Sequence, residues 1–239
     1  MIFYSWSYYL LGVLLLPGII LSIIAQSRTT HNFNKYSKVN IRSIETASQI
    51  ARRLLNNAGL EHIKIGSCSG HLTDHYNPKT KTIRLSHEVY NSTSISAIGV
   101  MAHEVGHAIQ EKDGYIPIKI RSFLVPVIKF SSYFMWPLAI LGVILEFMAY
   151  TEIGFIFICI GIGIFALSTL FALVTIPVER DASRRAYKLL WETGIINEEE
   201  GYGIKKVLNA AGSTYVAALI TSILSLLRFV LFILSLRKD

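Results

Sequence analysis

Two histidines and a glutamate in one short stretch carry the clearest chemical signal in this chain. His103, Glu104 and His107 belong to the pentapeptide HEVGH, inside a run over residues 95–110 that is typical of a helix. Residues four apart lie on one face of a helix, so both imidazoles can reach a single Zn²⁺ while the glutamate handles a water beside it. The spacing therefore predicts a hydrolytic zinc site, the alternative being a helix with two incidentally spaced histidines.

A catalytic zinc needs a third protein ligand and keeps one position open. No histidine follows His107, so the candidates after the motif are carboxylates. Glu179 and Asp181 are the best placed, in a segment where Pro177 suits the first turn of a helix and Gly194 its end. Residues two apart on a helix point about 200° away from each other, so only one of these two carboxylates can face the metal.

Long apolar blocks separate the polar parts of the chain. The composition is 52% hydrophobic and the mean hydropathy is +0.45, values typical of a membrane protein. About 20 apolar helical residues cross a hydrocarbon core of about 30 Å. The blocks that reach this length cover residues 3–24, 123–145, 153–176 and 215–236. Because Arg228 lies in the middle of the last block, we expect three to four transmembrane helices.

The second and third blocks form a hairpin that puts the two polar regions on the same side of the membrane. Residues 26–121 and 177–213 are separated by two crossings, so ligands from both regions can meet. The first region carries thirteen Lys or Arg and the second six, whereas the hairpin tip carries none. The positive-inside tendency predicts a multi-pass protein whose site faces the cytoplasm.

The blocks also predict the domain organisation. We expect an N-terminal transmembrane anchor, a catalytic region with the motif helix, a transmembrane hairpin, a helical region with the third zinc ligand, and a C-terminal transmembrane or membrane-associated helix. Their bounds, in that order, are residues 1–25, 26–122, 123–176, 177–213 and 214–239. The expected fold is an α-helical membrane protein with a small α+β, zincin-like catalytic domain that contains the HExxH helix.

The first polar region predicts one amphipathic helix and a small sheet ahead of the motif. Apolar residues, Ile44 among them, recur at helical spacing over residues 40–57. Residues 62–65 and 82–85 are alternating and β-branched, and the Asn-Pro pair between them is a turn signal. We therefore expect a short antiparallel sheet.

Two features of this sheet have alternative interpretations. The strand over residues 82–86 is either plain sheet structure or an edge strand that binds the substrate backbone beside the metal. His75, in the turn, is either an ordinary polar turn residue or a contact to the substrate.

Charge and cysteine content argue against two other classes of protein. The net charge is +7, but no basic run is interleaved with aromatic residues, so no nucleic-acid partner is expected. Cys68 and Cys159 are the only cysteines, too few for a zinc site built on thiolates. A surface close to lipid accounts for the charge. The expected partners are the lipid bilayer and a peptide or membrane-protein substrate; the oligomeric state stays open.

The motifs together resemble the YugP-like family of bacterial membrane zinc metallopeptidases, with a more distant similarity to HtpX-type and CAAX prenyl proteases. The resemblance extends over nearly the whole chain and rests on the N-terminal anchor and the segments LTDHY, IRLS, HEVGHAIQ and PVERDAS. It implies a zinc cofactor with His103, His107 and Glu179 as ligands and Glu104 as base. It also implies a location in the bacterial plasma membrane.

The chain departs from the HtpX-type pattern at one position near the site. That pattern has an aspartate four residues after the ligand glutamate, where this chain has Ser183. Asp181 can take over the role of that aspartate, or it can compete with Glu179 as the ligand.

These observations predict a membrane-anchored zinc endopeptidase of the HExxH-plus-Glu type that cuts peptide bonds near the cytoplasmic membrane surface. The alternative is a non-enzymatic membrane adaptor that keeps a structural zinc site, although such a site has no need of Glu104. A transporter is disfavoured because the chain lacks broken-helix repeats and further intramembrane ionisable residues.

Overall fold

The computed structural model describes residues 12–148 and 150–236, and these are mostly helical. The chain divides into two compact units. The apolar unit comprises Met1–Ile23, Ile120–Thr175 and Tyr215–Asp239, and the polar unit comprises Ile24–Lys119 and Ile176–Thr214. The two polar regions of the sequence therefore fold together, although an apolar stretch separates them along the chain.

Seven helices and three strands lie within the described ranges. In chain order they are α1 (Leu16–Tyr36), α2 (Ala47–Asn57), β1 (Lys64–Cys68), β2 (His75–Asn77), β3 (Thr82–Ser86), α3 (His87–Tyr90), α4 (Ile95–Lys112), α5 (Ile116–Phe147), α6 (Thr151–Glu192) and α7 (Glu198–Leu236). Helices α1, α5, α6 and α7 contribute residues to both units.

Helix α2 places an apolar face in the core of the polar unit. Ile50, Leu54 and Leu55 are fully buried, at the spacing that one face of a helix requires. At its N-terminus the Gln49 side chain accepts a hydrogen bond from the Thr46 N–H at 2.9 Å, which satisfies a backbone donor that the helix leaves open.

The start of α2 differs from the prediction over residues 40–57. Asn40 forms a bridge with Ser94, and the Ile41 N–H donates to the Thr93 carbonyl at 3.0 Å. These extended pairings satisfy the backbone before residue 47, so no helix forms there. Ile44, counted in the predicted apolar face, is 94% exposed.

The sheet is mixed, so the prediction of an antiparallel sheet is wrong in part. Strand β3 is central; β1 runs parallel to it and β2 antiparallel. The sequence pattern misses β2, whose residues read as a turn. The chain after β1 crosses to the far side of β3 before it turns back, and a parallel pair requires such a crossover. The turn between β2 and β3 forms because Asn77 Oδ1 accepts hydrogen bonds from the Lys79 and Thr80 N–H groups at 3.0 and 3.3 Å.

Helix α4 carries the HEVGH sequence through the middle of the polar unit. Ser94 caps its N-terminus, because the hydroxyl accepts a hydrogen bond from the Ala97 N–H at 3.3 Å. Gly114 follows its C-terminus with a φ of 67°, a conformation that favours glycine. Ile98 and Met101 are fully buried, so packing fixes the position of this helix.

Helix α6 is continuous, whereas the sequence predicts a new helix at Pro177. The proline lies inside α6, where it removes a main-chain hydrogen bond at a cost of about 3 kcal/mol. Val178 and Ala182 follow it and are fully buried, and this packing offsets the cost. The predicted end is confirmed: α6 ends at Glu192, and Gly194 has a φ of 65°.

Two helices of the described chain are long and apolar enough to cross a membrane, Glu152–Glu192 and Glu198–Leu231. They contain the predicted block 153–176 and most of the block 215–236. The block 123–145 lies inside α5, and the block 3–24 lies partly outside the described residues. The number of transmembrane helices and the domain bounds stay predictions.

Small and polar side chains connect three helices within the apolar unit. A Cβ on Gly18 would come within 2.8 Å of Thr221 Oγ1. The hydroxyls of Ser22 and Thr221 lie 3.2 Å apart, and those of Thr169 and Ser222 lie 2.7 Å apart. Contacts of this kind hold helices together in lipid, and here they join α1, α6 and α7.

Candidate metal centre

His103 and His107 lie one turn apart on α4, on the face that meets the polar-unit part of α6. Their ring centroids are 4.6 Å apart and their planes are nearly perpendicular. His107 and Glu104 are buried, and the His103 side chain is only 16% exposed. Neighbouring protein groups, more than solvent, therefore decide how these rings are oriented.

A close crossing at Gly106 brings the two halves of the site together. A Cβ on Gly106 would lie 2.5 Å from the carbonyl oxygen of Ala182 on α6, so only glycine lets the two backbones touch here. Glu179 lies one turn before Ala182 on α6, and Ser183 directly follows Ala182. The glycine within HEVGH thus has a structural reason: it sets the distance between the histidines and α6.

Glu179 completes a three-residue group that could hold a metal ion. Its Oε2 lies 3.0 Å from His103 Nε2 and 3.6 Å from His107 Nε2. In a tetrahedral zinc site the bonds are about 2.0–2.1 Å long, so neighbouring ligand atoms lie roughly 3.3 Å apart. Two imidazoles and a carboxylate are also a ligand set that catalytic zinc uses. The two nitrogen–oxygen distances and the donor types of this group fit zinc.

The second ring nitrogen of each histidine has its own partner. His103 Nδ1 lies 3.1 Å from Ser183 Oγ, and His107 Nδ1 lies 3.0 Å from Gln110 Oε1. Contacts at Nδ1 leave Nε2 to face Glu179, as a metal-binding imidazole requires. Ser183, where the chain departs from the HtpX-type pattern, is therefore in contact with a candidate ligand.

Asp181 lies outside the group. Its Oδ2 accepts hydrogen bonds from Gln110 Nε2 at 2.9 Å and from Arg185 Nε at 2.5 Å, and its Oδ1 accepts one from Arg184 at 2.5 Å. Residues two apart on a helix point about 200° away from each other, so the neighbours of Asp181 differ from those of Glu179. Of the two carboxylates that the sequence offers, the structure groups Glu179 with the histidines.

Glu104 is buried next to this group and is oriented by a backbone amide. The Tyr76 N–H donates a hydrogen bond to Glu104 Oε2 at 2.7 Å. Burial raises the pKa of Glu104, because the protein interior disfavours the charged carboxylate. A carboxylate with a raised pKa is suited to take up a proton and to release it again.

The edge strand beside the site is β2, and the interpretation of residues 82–86 as an edge strand is wrong. Strand β3 has a neighbour on each side, so its backbone groups are already paired. Strand β2 lies at the edge, and its Tyr76 contacts Glu104. The Tyr76 hydroxyl donates a hydrogen bond to Glu111, which ties β2 to α4.

The two residues before Tyr76 have different surroundings. Asp74 Oδ1 accepts a hydrogen bond from the Ser86 N–H at 2.7 Å, and burial raises the pKa of Asp74. His75 is exposed, and its Nδ1 lies 2.8 Å from the Thr73 carbonyl oxygen. Asp74 therefore connects the chain before β2 to the end of β3. For His75, contact to the substrate stays one of two alternative interpretations.

Sequence reasoning missed Gln110 and Tyr76. Gln110 stands three residues after His107, a spacing at which helix side chains meet, and this spacing is the signal that could have found it. Tyr76 contacts Glu104 through its main-chain N–H, which no side-chain pattern reveals.

Comparisons with known proteins agree on one family. The family model described as "Putative neutral zinc metallopeptidase" matches residues 11–234. The chain is 42% identical over 219 residues to the Bacillus subtilis (strain 168) protein named "Putative membrane protease YugP", an alignment that covers 92% of this chain and 94% of that relative. No solved structure matches the chain significantly. The chain therefore belongs to the neutral zinc metallopeptidase family, whose cofactor is zinc.

Proposed function

We propose that this protein is a membrane-anchored zinc endopeptidase in which His103, His107 and Glu179 hold the metal and Glu104 is the general base. The observation that carries the proposal is the approach of two imidazole Nε2 atoms to one carboxylate oxygen, with a buried second carboxylate beside them. When bound, zinc supplies a Lewis acid that polarises the scissile carbonyl and makes water more acidic.

Glu104 is placed to move a proton. The Tyr76 N–H holds its Oε2, so the other carboxylate oxygen can take a proton from water and pass it to the leaving amine. Peptide hydrolysis needs a base for the proton of water and an acid for the leaving amine, and Glu104 has the chemistry for both.

The proposed substrates are peptide segments or membrane proteins close to the cytoplasmic face of the bacterial plasma membrane. Helix α6, which carries Glu179, continues from an apolar stretch that is long enough to cross a bilayer. The excess of basic residues in the two polar regions favours the cytoplasmic side. The Bacillus subtilis relative is named a membrane protease, which supports a substrate at the membrane.

Zinc content tests the ligand set. The purified full chain should hold about one zinc per molecule, and His107→Ala should lose most of it because one of three ligands is gone. His87→Ala removes an exposed histidine of α3 and should keep the zinc. If His107→Ala retained zinc fully, the assignment of the ligands would be refuted.

Peptide hydrolysis tests the base. Glu104→Gln should keep zinc and lose turnover by about 10²–10⁴-fold, since an amide cannot accept the proton of water. Glu192→Gln, which changes an exposed glutamate of α6, is the matched control. Activity of Glu104→Gln within about tenfold of wild type would remove Glu104 as the base. A zinc-loaded wild type without turnover of any peptide would support the adaptor function.

A further inference from the structure

We propose that Gln110 is a positioning residue that turns the Nε2 lone pair of His107 toward the metal. Two acceptors on α6, the Val178 carbonyl and the Asp181 carboxylate, hold Gln110 in the orientation that this role requires. The inference rests on the proposed function, because it concerns the surroundings of the same zinc ligands.

Gln110 is fully buried and uses both ends of its amide. Its Oε1 lies 3.0 Å from His107 Nδ1, and its Nε2 donates to the Val178 carbonyl at 2.8 Å and to Asp181 Oδ2 at 2.9 Å. The amide nitrogen has two protons, and each of them has one acceptor on α6. Gln110 therefore connects a ligand of α4 to the turn of α6 that carries Glu179.

The partners on α6 decide which way the amide of Gln110 points. A carbonyl and a carboxylate can only accept hydrogen bonds, so the group that faces Val178 and Asp181 must be the NH₂ group. With the amide reversed, Oε1 would lie against two acceptors in a buried place, which is unfavourable. Oε1 must therefore face His107.

Two arginines keep Asp181 in its role as an acceptor. Arg184 and Arg185 each donate to the carboxylate at 2.5 Å, and Arg185 also donates to Asp113. Guanidinium groups are donors only, so Asp181 is the acceptor in each of these contacts. The two arginines thus hold the Asp181 carboxylate, and the carboxylate in turn holds the NH₂ group of Gln110.

The orientation of Gln110 in turn selects the tautomer of His107. An amide oxygen can only accept, so His107 Nδ1 must carry the proton, and Nε2 then carries the lone pair. His103 differs in this respect. Its Nδ1 partner is the Ser183 hydroxyl, which can donate or accept, so this contact does not select a tautomer. The structure therefore prepares His107 for the metal more firmly than it prepares His103.

Gln110→Met tests this role because methionine fills a similar volume without an acceptor. We expect the full chain to bind zinc about 10- to 100-fold more weakly, the usual effect of losing a partner of a ligand histidine, measured by competition with a chelator. The ¹⁵N signals of the His107 ring should change from one tautomer in the zinc-free wild type to a mixture in the variant. Gln49→Met, at an exposed position on α2, is the control and should leave zinc affinity unchanged.

Gln110→Glu tests the acceptor oxygen that faces His107 separately from the NH₂ group that donates to α6. The carboxylate keeps an acceptor for His107 Nδ1 but loses both donors to α6. We expect His107 to retain the single Nδ1–H tautomer, while zinc affinity falls because Val178 and Asp181 now face an acceptor. This variant carries the test alone if Gln110→Met does not fold, since a mixture of tautomers in it would overturn the proposal.

The outcomes distinguish this inference from the proposed function. If His107→Ala loses zinc but Gln110→Met keeps both the affinity and the single tautomer of wild type, the positioning role is overturned and the zinc site stands. If His107→Ala keeps its zinc, the proposed function fails first. A merely structural role of Gln110 would lower the thermal stability of Gln110→Met without altering the tautomer of His107.

Discussion

At the scale of single residues, the partner of each polar atom assigns its role. Glu179 and Asp181 are carboxylates two residues apart on one helix, yet one faces two imidazoles and the other faces two guanidinium groups and an amide. Guanidinium groups cannot give up their protons or bind a cation, whereas neutral imidazoles can join a carboxylate around zinc. The surroundings therefore separate a candidate ligand from a supporting residue.

This separation predicts different zinc losses for the two carboxylates. Glu179→Ala removes an oxygen of the candidate ligand set and should weaken zinc binding far more than Asp181→Ala. The latter removes a partner of Gln110 and of two arginines, but no candidate ligand atom, and should weaken zinc binding about 10- to 100-fold, as for other groups behind a ligand. A zinc titration of both variants measures the difference. If Asp181→Ala proved the more damaging, the site would have to be rebuilt around Asp181.

The sequence can predict the residues that are local to the motif. His103, Glu104 and His107 follow from helical spacing alone, because one turn of a helix brings side chains four apart together. Glu179 lies far along the chain, so spacing leaves it level with Asp181, and only the family resemblance favours it. Gln110 escapes prediction because a glutamine acquires its role from partners on another helix.

At the scale of elements, the crossing of α4 and α6 controls the site. The crossing is tight at Gly106, where a Cβ would lie 2.5 Å from the Ala182 carbonyl oxygen. The candidate ligands lie on both sides of that contact, His103 and His107 on α4 and Glu179 on α6. Any increase in the separation of the two helices would lengthen the distances between the ligand atoms.

Gly106→Ala should therefore damage both stability and metal binding. The added methyl group has no room, and overpacking of this kind typically costs about 1–3 kcal/mol. Thermal unfolding of the zinc-free chain and a zinc titration measure the two effects. Gly212→Ala is the matched control: Gly212 lies in α7 with nothing within 4 Å of its added Cβ, and alanine is favoured over glycine in a helix by up to about 1 kcal/mol. Similar behaviour of the two variants would show that the contact at Gly106 does not hold the helices in place.

Elements were easier to predict than their pairing. Alternating apolar residues indicate strands near β1 and β3, but the partner of each strand depends on the path of residues 69–81, which local periodicity does not encode. Pro177 is compatible with the first turn of a helix, so the local sequence does not show that it lies inside a longer helix. In α6 the buried contacts of Val178 and Ala182 decide the outcome, and these contacts come from other parts of the chain.

At the scale of the whole molecule, one polar unit is assembled from two segments that an apolar stretch separates in sequence. The apolar blocks are predictable because the thickness of a bilayer sets their length. The predicted pair of crossings between the polar segments would put both segments on the same side, and their joint folding agrees with this prediction. The prediction that this side is the cytoplasm depends on the distribution of basic residues.

Thiol labelling in intact cells tests this orientation. In a chain whose Cys68 and Cys159 have been replaced, single cysteines at Ile44 and Glu199 should be protected from a membrane-impermeant reagent, whereas one at Tyr150 should react. All three positions are exposed; the first two lie in the polar unit and the third lies between α5 and α6. The physical reason is the excess of Lys and Arg in both polar regions, which favours retention in the cytoplasm.

Labelling after lysis is the control, and it should modify all three cysteines. The reverse pattern in intact cells, with Ile44→Cys and Glu199→Cys labelled and Tyr150→Cys protected, would put the candidate zinc site outside the cell. Different labelling of Ile44→Cys and Glu199→Cys would contradict the two crossings themselves, because the segments that carry His107 and Glu179 would then lie on opposite sides and could not share a metal ion.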